Sequence, residues 1–529
     1  MEIRDAAPWA GRPEPRRGIG KPFLNRPHIR SESRSPRGLR RHGWFLAVAG
    51  VGAALRIVAM LGYRPVLWFP DSYTYVVTAM RPRPDLVRPA GYSLFLRALE
   101  PFHSFAAVAL VQHLLGLLVG VMVYLAVLRR GGRAWAGALA SAPVLLDAYQ
   151  IELEHLLVSD SLFAFLVVAA VCLALRRPLT PRATAGLGLL LAAATLTRTV
   201  GLPLIAVFAL FVLAYGVRRA GAAPPLRTVA RLTGPFLVAA FLPLAAYAGW
   251  FQATYDRVGL IGSNGVFLYA RTMAFADCAV MRPPADLAVL CDPRPPSQRP
   301  APQEYVWGVD APIVRLPGIT FTQATDTLAG RFASLAIRSQ PLDYLSTTLS
   351  ELMRSFAWNR PVYPDPETYG YYEFPAGVPP PPGRHPAILG NQLAQRYEQG
   401  PITLRITEPY AGWIRAYQGP AYLPGALLLV ILLTPPVAWA LGARSRRSSG
   451  PGASRHWLWA LRARSRRAYE AGASGHWPWA LPWVAAWTLL LIPPATAEFD
   501  YRYTLPVVPL ACLAAALAVR RGDDREEPV

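Results

Sequence analysis

The sequence predicts an all-α, polytopic membrane protein with about ten transmembrane helices. Three observations carry that expectation. Hydrophobic residues make up 53% of the 529 and charged residues only 16%, against roughly 45–50% and about 25% in soluble proteins. Ten separate stretches approach the ~20 apolar residues needed to cross a hydrocarbon core of about 30 Å. Arginine also gathers in alternate connections between those stretches, as cytoplasmic loops require. The net charge of +22 is almost entirely arginine, Lys21 being the one lysine. No nucleic-acid-binding motif accompanies it, so it is read as a topology signal and nucleic acid is excluded as a partner. Four cysteines in this length exclude a disulfide-dense scaffold and provide no zinc-type spacing.

Residues 1–42 hold eleven basic and four acidic residues without apolar periodicity, which predicts a disordered basic cytoplasmic tail. The first span, 43–63, lies too far along and is too long for an ordinary signal peptide, so it reads as a retained anchor; Arg56 sits inside it. A first outer loop, 64–104, follows. Spans over 105–128, 134–149, 155–175, 183–197, 200–217 and 229–251 complete a membrane module of 43–251. The third and fifth spans are short, as are the ninth and tenth, 482–496 and 504–519. The eighth is 421–441, so 421–519 forms a carboxyl-terminal membrane part, followed by the tail 520–529.

Arg129, Arg130 and Arg133, then Arg176, Arg177 and Arg182, then Arg218 to Arg231, and finally the basic loop 442–481, all fall on one side. The predicted turns near 149–154 and 497–503 contain a single arginine, Arg502. The expected location is therefore the cell membrane, multi-pass, with both termini cytoplasmic.

Between the seventh and eighth spans, residues 252–420 are long, polar and Pro-rich enough for a small extracytoplasmic domain of mixed structure, with one helix-like stretch from Thr327 to Trp358. Cys278 and Cys291 fall there, on the oxidising side, where a bridge closing about 14 residues would add about 3 kcal/mol. A disulfide is expected, with two free thiols as the alternative. Residues 443–461 recur at 463–481 with a period of 20. A tandem duplication in an inner loop explains this, the alternative being a Trp-anchored basic segment on anionic lipid.

Charge inside hydrocarbon costs at least about 2.5–3.5 kcal/mol on insertion scales, so ionisable groups at span ends are informative. They collect on the outer side. Asp71 follows the first span; Glu152, Glu154, His155 and Asp160 bracket the turn between the third and fourth; Arg198 joins the fifth and sixth; Glu498, Asp500 and Arg502 precede the tenth. A carboxylate acting as base or metal ligand, facing guanidinium groups that hold an anion, is the chemistry this set suits. Phosphate at the membrane surface, with a lipid tail in the bilayer, is the natural anion.

Asp71-Ser72-Tyr73-Thr74-Tyr75, followed by Arg88-Pro89-Ala90-Gly91-Tyr92-Ser93-Leu94-Phe95-Leu96, resembles the first outer loop of the GT-C glycosyltransferases, a superfamily that includes the protein mannosyltransferases and the aminoarabinose transferases. Glu154 to Phe163 looks like its second acidic stretch. Arg198 in Thr197-Arg198-Thr199-Val200-Gly201 and Tyr501-Arg502-Tyr503 before Pro506 look like its later arginine positions. The resemblance covers about 43–251 and 421–519. It implies amphipathic helices in the first outer loop and inverting transfer of a hexosyl or pentosyl group from a polyprenyl-phosphate sugar to an extracytoplasmic glycan, lipid or protein of the cell envelope.

On that resemblance Asp71 is the general base, Glu154 and Asp160 are further catalytic acids, and Arg198 and Arg502 bind the phosphate. Many relatives carry a second acid directly after the first, where this chain has Ser72. Asp71 with Glu152, Glu154 or Asp160 could still supply oxygen ligands to Mg²⁺ or Mn²⁺; no other cofactor is expected. The alternative function is a multi-pass transporter or lipid flippase. That class expects ionisable groups near mid-membrane on repeated halves, and no half-to-half repeat is evident here.

Overall fold

A computed structural model describes residues 41–220, 226–380, 385–448 and 478–519. The basic tail 1–42, the repeat within the loop 442–481 and the tail 520–529 fall almost wholly outside the described residues. Arg41 belongs to an amino-terminal unit, Met1–Arg41, and everything from His42 onward belongs to a second unit, described below.

All ten expected spans are helices. They are α1 (Gly43–Gly62), α4 (Phe105–Arg129), α5 (Ala134–Leu146), α7 (Asp160–Ala174), α8 (Pro181–Thr197), α9 (Leu202–Ala220), α10 (Leu226–Tyr255), α16 (Gly425–Ser448), α17 (Ala480–Thr496) and α18 (Val508–Ala518). Among the described residues, five segments are long and apolar enough to cross a membrane, namely α1, α4, Thr199–Arg219, α10 and Tyr501–Ala518. Local chemistry sets several starts: Ser104 accepts from Ala107 N ahead of α4, and Thr180 accepts from Ala183 N ahead of α8, where Pro181 occupies the first turn. Small residues let the helices approach. A Cβ on Gly188 of α8 would sit 2.3 Å from the Phe236 carbonyl oxygen of α10, so glycine there permits backbone contact between two membrane helices.

The outer turn expected near 149–154 is instead a helix, α6 (Ala148–His155), in which every residue is buried. α5, at 13 residues or about 20 Å, stops short, and Asp147 caps α6 by accepting from Tyr149 N and Gln150 N. The cover comes from far along the chain. Ala148 N donates to Ala421 O, Leu423 N to the other Asp147 oxygen, and the Tyr417 hydroxyl to Leu146 O. The fourth span therefore begins at Asp160, five residues later than expected.

The first outer loop forms two helices, α2 (Pro70–Met80) and α3 (Gly91–Leu99). Residues 252–420 cover this side of the bundle; their longer regular elements are helices, α11 (Asn264–Thr272), α12 (Gln323–Ser339), α13 (Pro341–Arg354), α14 (His385–Glu398) and α15 (Tyr410–Gln418), joined by long stretches of turns and irregular chain. The single helix-like stretch expected from Thr327 to Trp358 is two helices, because Pro341 offers no N–H and opens α13. α14 lies on α2, where Gly390 leaves room for Tyr73. A two-residue antiparallel ladder, β1 (Tyr63–Arg64) with β2 (Arg405–Ile406), ties the exit of α1 to the segment before α15. Cys278 and Cys291 are joined by a disulfide, while Cys172 and Cys512 are free.

Candidate active site

Asp71 is the second residue of α2, yet it does not cap the helix. The Ser72 hydroxyl does the local work, accepting from Phe69 N and donating to Leu157 O. The Asp71 carboxylate is left to face two guanidinium groups. Arg88 Nη2 donates to Oδ1 at 2.8 Å, and Arg502 Nη1 lies 3.4 Å from Oδ2. Burial disfavours the charge on Asp71, but Arg88 and then Arg502 outweigh it and hold the carboxyl below its usual range.

Arg502 is oriented from three directions. It stacks over Phe69 at 4.6 Å, its backbone N–H donates to Asp500 Oδ1, and its Nε lies 3.3 Å from Asp500 Oδ2. Asp500 Oδ2 accepts in turn from the Tyr372 hydroxyl at 2.6 Å, so residues 252–420 contribute a support for this arginine. Arg198 sits at the break between α8 and α9, ion-paired with Asp160 and lying over Tyr503.

These groups share one cavity of about 450 Å³. Its polar part presents Asp71, Arg88, Arg198, Arg502, Tyr75 and Ser159, three cations to one anion; its other walls are Phe163, Val200, Leu202, Leu489, Ile492 and Pro493, from α7, the start of α9 with the turn before it, and α17. Such a cavity accepts an amphiphile, an anionic head against guanidinium groups and an apolar remainder along the helices. A second, shallower groove of about 680 Å³ runs over α11 and α12 and carries Arg331 and Arg338. The two share Asn264 and Leu268 as lining, so the groove opens beside the cavity.

Of the residues expected from the sequence, Asp71, Arg198 and Arg502 converge. Asp160 lies behind Arg198 and holds it rather than lining the cavity. Glu154 requires a correction: it does not line the cavity, is wholly buried, and is gripped by Arg56 through Nε to Oε2 and Nη2 to Oε1, both at 2.7 Å. A carboxylate beside the bilayer is stable only with such a partner, and the nearest one was Arg56 of α1. Glu152 is buried too, and burial pushes its carboxyl well above the usual range. Arg88, in the Arg-Pro-Ala-Gly-Tyr motif, is a site residue to which the sequence alone assigns no role. Its position 17 residues after Asp71, beside the one proline-glycine motif of the loop, was the available signal. Tyr372 carried none.

The metal-ligand set considered above is not assembled. Among the described residues no three His, Cys, Asp or Glu side chains are grouped so that they could hold a metal ion. Asp71 faces arginines, Asp160 faces Arg198 and Glu154 faces Arg56, so these acids do not fit Mg²⁺ or Mn²⁺.

A family model, dolichyl-phosphate-mannose-protein mannosyltransferase, matches residues 86–223. No curated protein sequence matches the chain. Among solved structures, the chain is similar to ArnT from Cupriavidus metallidurans, crystallised with undecaprenyl phosphate, at 15% identity over 90% of this chain and 77% of that one. The TM-score is 0.29, too low to carry an argument. The family match covers the segment that supplies Arg88, Ser159, Asp160 and Arg198, and over that segment it bears out the resemblance of this membrane protein to the GT-C glycosyltransferases.

Proposed function

We propose that the chain transfers a sugar from a polyprenyl-phosphate donor to an acceptor outside the membrane, with inversion at the anomeric carbon. The observation that carries this is the cavity lined by Asp71 and three arginines together with apolar walls. The match of residues 86–223 to mannosyltransferases that use a lipid-phosphate donor supports it. Arginine collected in the loops at the far end of the bundle, Arg129 and Arg130, Arg176 and Arg177, Arg218 and Arg219, supports an extracytoplasmic site.

In this mechanism the prenyl chain lies along α7, α9 and α17, and the phosphodiester draws Arg88, Arg198 and Arg502 onto its oxygens. Arg88 and Arg502 then loosen their hold on Asp71. The freed carboxylate takes the proton of an acceptor hydroxyl as that oxygen attacks the anomeric carbon. The bond from that carbon to the phosphate oxygen breaks, and the lipid phosphate leaves with one further negative charge, which the arginines stabilise. The groove over α11 and α12, continuous with the cavity at Asn264 and Leu268, gives the acceptor its approach.

The test is transfer from labelled polyprenyl-phosphate sugars in proteoliposomes. Folded parent protein that transfers no such sugar to envelope extracts would refute the reading. A carrier would instead require a polar path across the bundle, whereas this cavity's charges stand at one end of the helices.

A further inference from the structure

Glu154 lies outside the cavity, yet its neighbourhood leads through hydrogen bonds to Ser72, the residue next to Asp71. Its carboxylate is held by Arg56, by His113 Nδ1 at 3.0 Å and by Gln150 Nε2 at 3.1 Å. Arg56 is itself anchored to the Leu145 and Gly52 carbonyl oxygens. His113 Nε2 meets His155 Nδ1 at 3.0 Å, and His155 Nε2 bonds Tyr63 O at 2.9 Å. The backbone beside Glu154 is fixed too: Gln112 Nε2 donates to the carbonyl oxygens of Glu154 and Leu156, and Gln112 Oε1 accepts from Tyr92 of the Arg-Pro-Ala-Gly-Tyr motif.

The segment thus held is the one on which the start of α2 rests. Leu67 N donates to His155 O and Leu157 N to Leu67 O. The Ser72 hydroxyl donates to Leu157 O, and Tyr75 OH meets the Ser159 hydroxyl at 3.1 Å. α4 has made room for this arrangement, since a Cβ on Gly116 would fall 1.9 Å from Glu154 Oε1.

We infer that Glu154, clamped by Arg56 and His113, is a positioning residue that fixes the 154–159 segment and through it the place of Asp71 opposite the arginines. The inference rests on the sugar-transfer reading for its kinetic consequence. It explains a costly feature, a buried charge pair with two histidines, that packing alone would not need: an apolar pair of similar volume is commonly as stable.

The test is the double variant Arg56→Met with Glu154→Met, which removes both charges together and leaves neither uncompensated. Its melting temperature should stay near the parent's, while amides of 66–72 exchange faster with solvent. Its kcat should fall about tenfold to a hundredfold, as small misplacements of a reacting group do. Donor KM should stay within about threefold, because the arginines reach the phosphate from other elements. Should the double variant misfold, Gly116→Ala, which keeps both charges but displaces the carboxylate, is read by the same measurements. Parental kcat together with parental exchange over 66–72 would overturn the inference. If the parent itself transfers no sugar, the functional reading fails and the exchange result alone decides the positioning role.

Discussion

Asp71→Asn separates the role of the carboxylate from the role of its neighbours, because the mechanism predicts opposite signs for two measurements. Loss of a positioned general base costs about 10²–10⁴ in rate, or about 2.7–5.5 kcal/mol of transition-state stabilisation. Turnover should fall by that factor. Binding of the lipid phosphate should strengthen. In the parent, Arg88 at 2.8 Å and Arg502 at 3.4 Å are engaged by Asp71, and a phosphate entering the cavity must compete for them. A second anion about 5 Å from the carboxylate is repelled by about 3 kcal/mol at an effective dielectric constant near 20. The hydrogen bonds that asparagine retains offset part of the gain, leaving about a tenfold tighter Kd. Initial rates of transfer in proteoliposomes give the first quantity, and displacement of a fluorescent polyprenyl phosphate gives the second. If Asp71→Asn weakens lipid-phosphate binding while turnover survives, Asp71 is a structural anchor for the arginines and the general-base assignment is wrong.

Arg502→Gln should lower turnover about a hundredfold to a thousandfold, the usual cost of removing a donor to developing negative charge; parental rates would remove Arg502 from the phosphate site. Because its arginine neighbours hold Asp71 below the usual carboxylate range, the acid limb of kcat/KM should lie below pH ~4, and Arg88→Gln should move it upward. Glu498, half-buried and near Asp500, has its carboxyl pushed up to about 8 by loss of solvation. The folded state therefore keeps a proton that the unfolded chain loses near pH ~4.5, so stability should fall as pH rises from there to about 8. Melting temperatures of Glu498→Gln should be flatter over that window. Removing the Cys278–Cys291 bridge by Cys→Ser at both positions should cost about 3 kcal/mol of stability, read as a lower melting temperature.

The membrane architecture was legible because hydropathy and arginine placement act locally: each span and each basic loop declares itself within about 20 residues. Asp71, Arg198 and Arg502 were legible for a related reason, since an ionisable group at a span end must be explained and these lie on one face. What stayed hidden depended on partners distant in sequence. A carboxylate at position 154 reads the same whether it faces a substrate or Arg56, and only the packing of α1 against α5 and α6 decides between them. The stretch 148–155 is polar enough to read as a turn, and its burial comes from Tyr417, Ala421 and Leu423, more than 250 residues later. Tyr372 supports Asp500 across 128 positions, a relation with no local pattern. The break at Pro341 could have been read, because proline opening a helix is a local signal.

The charge count of the site gives these pairings a common purpose. Arg88 has Asp71, Arg198 has Asp160, and Arg502 has Asp500 as well as Asp71, so three cations meet three anions before any ligand arrives. Without those acids, three guanidinium groups around one cavity would repel one another and resist burial. With them, a donor phosphodiester adds one negative charge. On the proposed mechanism the leaving phosphate gains a second negative charge as Asp71 gains a proton, so the total stays constant through the reaction. The two acids that never line the cavity keep their arginines in place throughout, and the one that does line it is the one able to change its charge. Asp160→Asn should therefore raise donor KM by letting Arg198 move, without shifting the acid limb set by Asp71. A shift of that limb in Asp160→Asn would mean that the proton is shared between the two carboxylates and that the division of labour drawn from the geometry is wrong.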